Sequence, residues 1–232
     1  NTFGANRYKL SQFGLENKIA EINQAGVELV RRVALASFRE VIIAGDVGPL
    51  GVRLAPFGRV QLEDARQAFK EQIQALVDAE VDVIIIETMT DFYEVREAIL
   101  ASREVDPDMP VIASMTFTRD DRTLLGDTPE KVATSIHAAG ADVIGINCSG
   151  GPLQLLRILK KMKVAVPHGL FSVMPNAGWP EQQDGRIMYP AGPEYFGEYA
   201  ISFWQAGARV LGGCCGTTPD RKSTRLNSSH RI

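Results

Sequence analysis

Ala139-Gly140-Ala141-Asp142-Val143-Ile144-Gly145-Ile146-Asn147-Cys148 reads as a helix end, a tight joint, a short buried strand and a thiol at the strand's exit. The joint comes back as Ala79-Glu80-Val81-Asp82-Val83 and as Ala206-Gly207-Ala208-Arg209-Val210. One helix-to-strand joint returning after one or two units of roughly thirty residues is the mark of a strand–helix repeat. Such repeats build an α/β fold with a parallel sheet.

Working outward, six short β-rich apolar runs stand as strands: Val41 to Ala44, Val83 to Ile86, Val111 to Met115, Val143 to Ile146, Leu170 to Val173 and Arg209 to Leu211. Between them Leu62, Ala65, Phe69, Ile73 and Leu76 recur at three- and four-residue steps, which predicts an amphipathic helix. Ile19, Ile22, Val30 and Val33 predict an earlier one. Asp91 with Glu94 forms a capping-box pattern, and Thr128-Pro129 and Gly192-Pro193 place proline at a first helical position.

Parallel strands joined by helices close into a barrel or spread into an open sheet. Asp46, Glu87, Thr116, Cys148, Asn176 and Cys214 all fall just after strands, positions that converge on one face of a barrel. No Gly-x-Gly-x-x-Gly follows any strand, which argues against a dinucleotide fold. The expectation is a (β/α)₈ TIM-type barrel, N-terminally truncated, with its first strand–helix unit missing. Residues 1–220 form one domain in this reading.

The chain has 232 residues, 45% apolar and 23% charged, within the ordinary range for a globular protein. No run of eighteen apolar residues exists to span a membrane. The net charge of −3 is unevenly placed. The tail after Asp220 holds Arg221, Lys222, Arg225 and Arg231 and no acid. Residues 1–220 therefore carry 21 of the 25 basic and all 28 acidic side chains, a net −7. An acidic body argues against a nucleic-acid partner. Residues 221–232 have no apolar period and resemble translated adapter or vector sequence, so they read as a non-native tail outside the fold.

The only three cysteines sit at two strand exits, Cys148 in Asn147-Cys148-Ser149-Gly150-Gly151 and the pair in Gly212-Gly213-Cys214-Cys215-Gly216. A bridge between Cys214 and Cys215 is disfavoured, because neighbouring Cα atoms lie about 3.8 Å apart, below the usual disulfide range. Buried inert thiols are the plainer alternative. Against it, consecutive strand side chains point to opposite faces, and the glycines at 212, 213 and 216 let the chain bend so that neighbours share one point. Three thiolates suit zinc and leave a fourth tetrahedral position open, the pattern of a catalytic site.

These motifs resemble the zinc-dependent homocysteine S-methyltransferase family. The matching stretches are Asn1-Thr2-Phe3-Gly4-Ala5-Asn6, Ala44-Gly45-Asp46-Val47-Gly48-Pro49, Glu87-Thr88-Met89, Gly145-Ile146-Asn147-Cys148, Pro175-Asn176-Ala177-Gly178 and Gly212-Gly213-Cys214-Cys215-Gly216. Asn6-Arg7-Tyr8-Lys9-Leu10-Ser11 with Gly14-Leu15-Glu16 is similar to the methyltransferase half of bifunctional enzymes fused to a methylenetetrahydrofolate reductase. The homocysteine module of cobalamin-dependent methionine synthase is nearly as similar. The resemblance implies Cys148, Cys214 and Cys215 as zinc ligands and Glu87 as a contact to the homocysteine amino group. Asn147, Asn176 and Thr2 join Glu87 as candidate substrate contacts. It implies a cytoplasmic enzyme that methylates homocysteine to methionine, with a donor linked to methyltetrahydrofolate or delivered through cobalamin. A fused or separate folate, cobalamin or reductase domain is the implied partner. This chain lacks the family's Asp-Gly motif at the first strand end.

Two other classes stand beside this one. A zinc-stabilised scaffold without catalysis needs a fourth protein ligand. A phosphate-handling barrel would use Gly212-Gly213 and leave the cysteines without a role. Asp46 reads equally as a turn residue, His137 and His168 as surface or structural residues, and Phe3, Trp179 and Tyr189 as packing or as a donor pocket.

Overall fold

A computed structural model describes residues 1–183 and 185–221. The expected non-native tail therefore lies, from residue 222 to 232, outside the described residues. Arg221 is described, and it donates from Nε to Ala191 O at 2.8 Å.

Six strands form one sheet: β1 (Ala44–Val47), β2 (Val83–Met89), β3 (Val111–Met115), β4 (Val143–Cys148), β5 (Leu170–Pro175) and, last in the chain, β8 (Ala208–Leu211). Their order is β1-β2-β3-β4-β5-β8. Pairing is parallel between β1 and β2, β4 and β5, and β5 and β8. Helices alternate with them: α1 (Arg7–Ser11), α2 (Ile19–Ala36), α3 (Leu62–Asp78), α4 (Phe92–Val105), α5 (Pro129–Ala138), α6 (Pro152–Ala165) and α7 (Pro193–Gln205). The α/β alternation expected from the recurring joint is present. A two-stranded antiparallel hairpin, β6 (Glu181–Gln183) with β7 (Arg186–Met188), stands apart and had no apolar pattern to announce it.

The chain divides into two compact units, one of Asn1–Ala113 with Ala139–Asp142, the other of Ser114–Ala138 with the chain from Val143 onward. In the first, α3 buries Phe69, Ile73 and Leu76 completely, the residues its 3.6-residue period selects. Burial of each such side chain contributes about 1.5–3 kcal/mol. Ile84 and Ile86 on β2 and Val95 and Ile99 on α4 complete that core. In α2 only part of the expected face is inward: Ile19 is buried and Ile22 half-buried, while Val30 and Val33 are exposed and Val27, outside the expected set, is buried instead.

Two local expectations shift. The first strand is Ala44–Val47 rather than Val41 to Ala44, and Val41 and Ile42 are exposed. The backbone decides this. Gly45 and Asp46 pair with Ile84 and Ile85 of β2, and the chain before them is tied instead through Ile43 N–H to the Asp82 carboxylate at 2.6 Å. At α4, Asp91 caps as expected by accepting from Tyr93 N–H at 2.8 Å. Glu94 does not close the box but reaches across to accept from Leu50 N–H at 2.8 Å.

In the second unit, Phe117, Ile144, Ile146, Leu155, Ile158, Phe171, Val173 and Phe196 are buried. Gly145 is required there, since a Cβ on it would stand 3.0 Å from the Ser114 Cα. Among the described residues no helix is long and apolar enough to cross a membrane.

Candidate metal centre

The thiols are delivered at the ends of two strands of the second unit, β4 and β8, which flank β5. β4 pairs with β5 so that Cys148 lies opposite Pro175. β8 pairs with the other edge of β5, and its ladder runs on past the strand end. Gly212 N–H donates to Val173 O at 2.9 Å and Cys214 N–H donates to Pro175 O at 2.8 Å. Pro175 is therefore flanked by Cys148 on one side and Cys214 on the other. A turn closed by Thr217 N–H on Cys214 O, with Gly216 at φ 74°, then bends the chain so that Cys215 serves the same point. The three Sγ atoms all lie within 4.8 Å of one another.

Cys148 and Ser149 both hold left-handed backbone conformations, φ 55° and 57°. For residues with a Cβ such conformations cost on the order of 1–3 kcal/mol each and persist where the surroundings enforce them. Here the surroundings are specific. Ser149 Oγ accepts from Phe117 N–H at 2.8 Å and donates to Asn147 O at 3.2 Å. Asn176, 4% exposed, donates from Nδ2 to Ser149 O at 3.0 Å and accepts from Cys215 N–H at Oδ1, also at 3.0 Å. One buried carboxamide thus braces both cysteine loops. Asn147, fully buried, points its Nδ2 at Cys214 Sγ at 3.9 Å.

The electrostatics of the cluster fit a cation. Hydrogen bonding from Cys214 pulls the Cys148 thiol down from 9.0 to about 6, helped by Asn176 and Cys215 and opposed by burial. Burial, and then the charge on Cys148, push the Cys215 thiol up. Thiols this close cannot all ionise unless positive charge sits among them. An all-sulfur set of three, close enough for zinc–sulfur bonds of about 2.3 Å, is a fitting donor set for that ion.

Thr2, Asp46 and Glu87 belong to the first unit. The Thr2 hydroxyl is committed to β1, donating to Asp46 O at 2.8 Å and accepting from Asp46 N–H at 3.2 Å. Glu87 lies two residues from the end of β2, followed by Thr88 at φ 62°. Asp46 stands against Glu87, and burial, then the Glu87 charge and a hydrogen bond shared with it, lift its carboxyl from 3.8 to about 7. Sequence reasoning missed this pair. The parallel register, with Asp46 beside Ile85 and Val47 beside Ile86, would have suggested it. Burial likewise lifts the Glu94 carboxyl to about 7.

These carboxyls bind protons more tightly folded than unfolded. Their contribution is full below about pH 4 and is lost as pH rises to about 7. Asp46→Asn is therefore expected to flatten the decline in stability between pH 5 and pH 8, by an amount on the order of 1–3 kcal/mol. Chemical denaturation midpoints at the two pH values check this; an unchanged decline would show that Asp46 ionises freely in the folded chain.

Comparison with known proteins follows the same lines. The family model for homocysteine S-methyltransferase matches residues 1–221. Methionine synthase from Mycobacterium leprae is 31% identical over 230 residues, covering 95% of this chain and 19% of that protein. Methionine synthase from Mycobacterium tuberculosis is 33% identical over 229 residues, covering 94% of this chain and again 19% of that protein. The chain thus spans about a fifth of the length of these curated relatives. The metallated form of the homocysteine methyltransferase MmuM from Escherichia coli superposes with a TM-score of 0.76 at 23% identity, covering 97% of this chain and 77% of that one. That likeness shows a shared α/β fold of the TIM-barrel type. With its whole described length matched by the family model and its thiols gathered at the strand ends, the chain belongs to the homocysteine S-methyltransferase family.

Proposed function

We propose that this chain binds zinc through Cys148, Cys214 and Cys215 and catalyses methyl transfer to the sulfur of homocysteine, giving methionine. The convergence of the three Sγ atoms within 4.8 Å carries the reading. Zinc bound there supplies positive charge that lowers a thiol pKa and a fourth position for a substrate sulfur. The chain's own residues do the rest. Asn147 and Asn176 turn amide N–H groups toward the thiolates, which keeps their negative charge in place at neutral pH. The strained Cys148-Ser149 turn aims one sulfur, and the Cys214–Gly216 bend aims two. In the transfer, homocysteine gives up its thiol proton and its sulfur takes the methyl carbon. The donor's bond to that carbon breaks and the donor leaves with the electron pair.

Glu87 takes the ammonium of homocysteine. Burial and the neighbouring Glu87 charge lift the Asp46 carboxyl to about 7, so the pair resists carrying two negative charges unless a cation such as an ammonium joins it. Glu87→Ala is expected to weaken homocysteine binding about ten- to a hundredfold while zinc stays bound, the loss of one charge-assisted contact. Calorimetric titration of the zinc-loaded variant checks it, and unchanged affinity would remove Glu87 from the substrate site. The donor in this reading is linked to methyltetrahydrofolate, delivered by a fused or separate folate, cobalamin or reductase domain, and the setting is cytoplasmic.

The scaffold alternative requires a fourth protein ligand, and the thiol group among the described residues numbers three. X-ray absorption on the zinc-loaded chain tests the proposal. Three sulfur ligands should rise to four when homocysteine is added, with proton release near neutral pH. Thiol binding without proton release would refute it.

A further inference from the structure

The chain leaves the thiol centre at Asn176, turns through the β6–β7 hairpin and returns at Tyr189, the residue that follows β7. Backbone bonds sew the return to the centre. Ala191 N–H donates to Ala177 O, and Ala177 N–H donates to Cys215 O, each at 2.9 Å. Pro190 lies on Gly178, where a Cβ would stand 3.0 Å from the proline Cδ. The Tyr189 ring is thereby set against Gly216. A Cβ built on that glycine would meet the ring Cγ at 2.3 Å and Cδ2 at 2.5 Å. The ring fills the space a side chain would take on the residue that bends the chain after Cys215, at φ 74°.

The Tyr189 hydroxyl faces the sulfurs. It hydrogen-bonds Cys215 and lies within reach of the charges of Cys148 and Cys214. A neutral phenol donates such a bond, and donation to a thiolate is stronger than donation to a neutral acceptor. The other two sulfurs have neutral donors as well. Asn176 serves Cys148, and Asn147 points its Nδ2 at Cys214 Sγ from 3.9 Å. Cys215 is the exposed thiol of the three, and the half-buried Tyr189 reaches it from the hairpin side.

We propose that Tyr189 is a positioning residue of the metal centre, its ring fixing the Cys214–Gly216 bend and its hydroxyl donating to the Cys215 sulfur. This role rests on the zinc reading of the same centre. With it, each of the three protein sulfurs carries one neutral donor. Such a donor lowers the basicity of a thiolate, and nucleophilicity falls with basicity. The protein's own sulfurs are therefore blunted toward an alkylating carbon, and attack is left to the sulfur bound at the fourth position.

The test compares Tyr189→Phe and Tyr189→Ala with the unsubstituted full chain. Tyr189→Phe keeps the ring and loses the donor. Its metal-free denaturation midpoint should be unchanged, while zinc affinity, read by chelator competition, falls about three- to tenfold. In the zinc-loaded variant, methyl iodide should methylate Cys215 about threefold faster, read by tandem mass spectrometry, for a rise of about one pKa unit at that sulfur. Tyr189→Ala loses the ring too, and its zinc affinity should fall about ten- to a hundredfold. Tyr189 is half-buried on a loop, so neither replacement opens the core. A Tyr189→Phe chain with unchanged zinc affinity and unchanged Cys215 methylation overturns the part given to the hydroxyl. Equal zinc affinity in the two variants overturns the part given to the ring. An unsubstituted chain that takes up no zinc overturns the metal reading and this role with it, whereas zinc uptake by that chain with both variants unaltered overturns this role alone.

Discussion

Alanine in place of Cys148, Cys214 or Cys215, one at a time, is expected to strip the chain of zinc and of methyl transfer together. Apparent zinc binding at cysteine-rich centres is worth roughly 10–16 kcal/mol. With three protein thiolates carrying it, each accounts for about 3–4 kcal/mol or more, close to a thousandfold in affinity. Zinc per chain after dialysis against a competing chelator reads this without reference to activity. His137→Ala and His168→Ala are the controls, since both histidines are exposed and neither joins the thiol group. A cysteine variant that keeps one zinc per chain would show that the thiols are only packing.

Asn176→Leu should produce the next largest change, and by a different route. The shape of the side chain is nearly kept, but Ser149 O and Cys215 N–H lose their partner inside the protein. Ser149 O is buried and, left unpaired, costs about 1–3 kcal/mol, while the part-buried Cys215 N–H adds less because water can reach it. Both cysteine loops lose their common brace, so zinc affinity should fall about ten- to a hundredfold even where the chain remains folded. Denaturation midpoints and a chelator competition read the two effects separately. A loss of stability with unchanged zinc affinity would confine Asn176 to a structural part. Loss of zinc affinity alone would show that the loops are held by other bonds.

Much of this was legible from residue order. The period of Leu62 to Leu76 names the face that α3 buries, because a helix repeats over a few residues and needs no knowledge of its neighbours. The prolines at 129 and 193 begin α5 and α7 for the same local reason. The displaced first strand shows where that reasoning stops. Val41 and Ile42 have the apolar character of a strand, yet the strand is Ala44–Val47, because its register against β2 is settled by pairing partners forty residues away.

The sequence by itself determined the strand–helix alternation and the three thiols at strand exits, both consequences of local periodicity and composition. Tertiary structure alone decided that Pro175 stands between Cys148 and Cys214, that Asn176 braces both loops, and that the buried Asp46 carboxyl lies against Glu87. Each of these depends on which parallel strands are neighbours and in what register. That choice is made by packing between segments far apart in the chain, where no short stretch of residues carries the information.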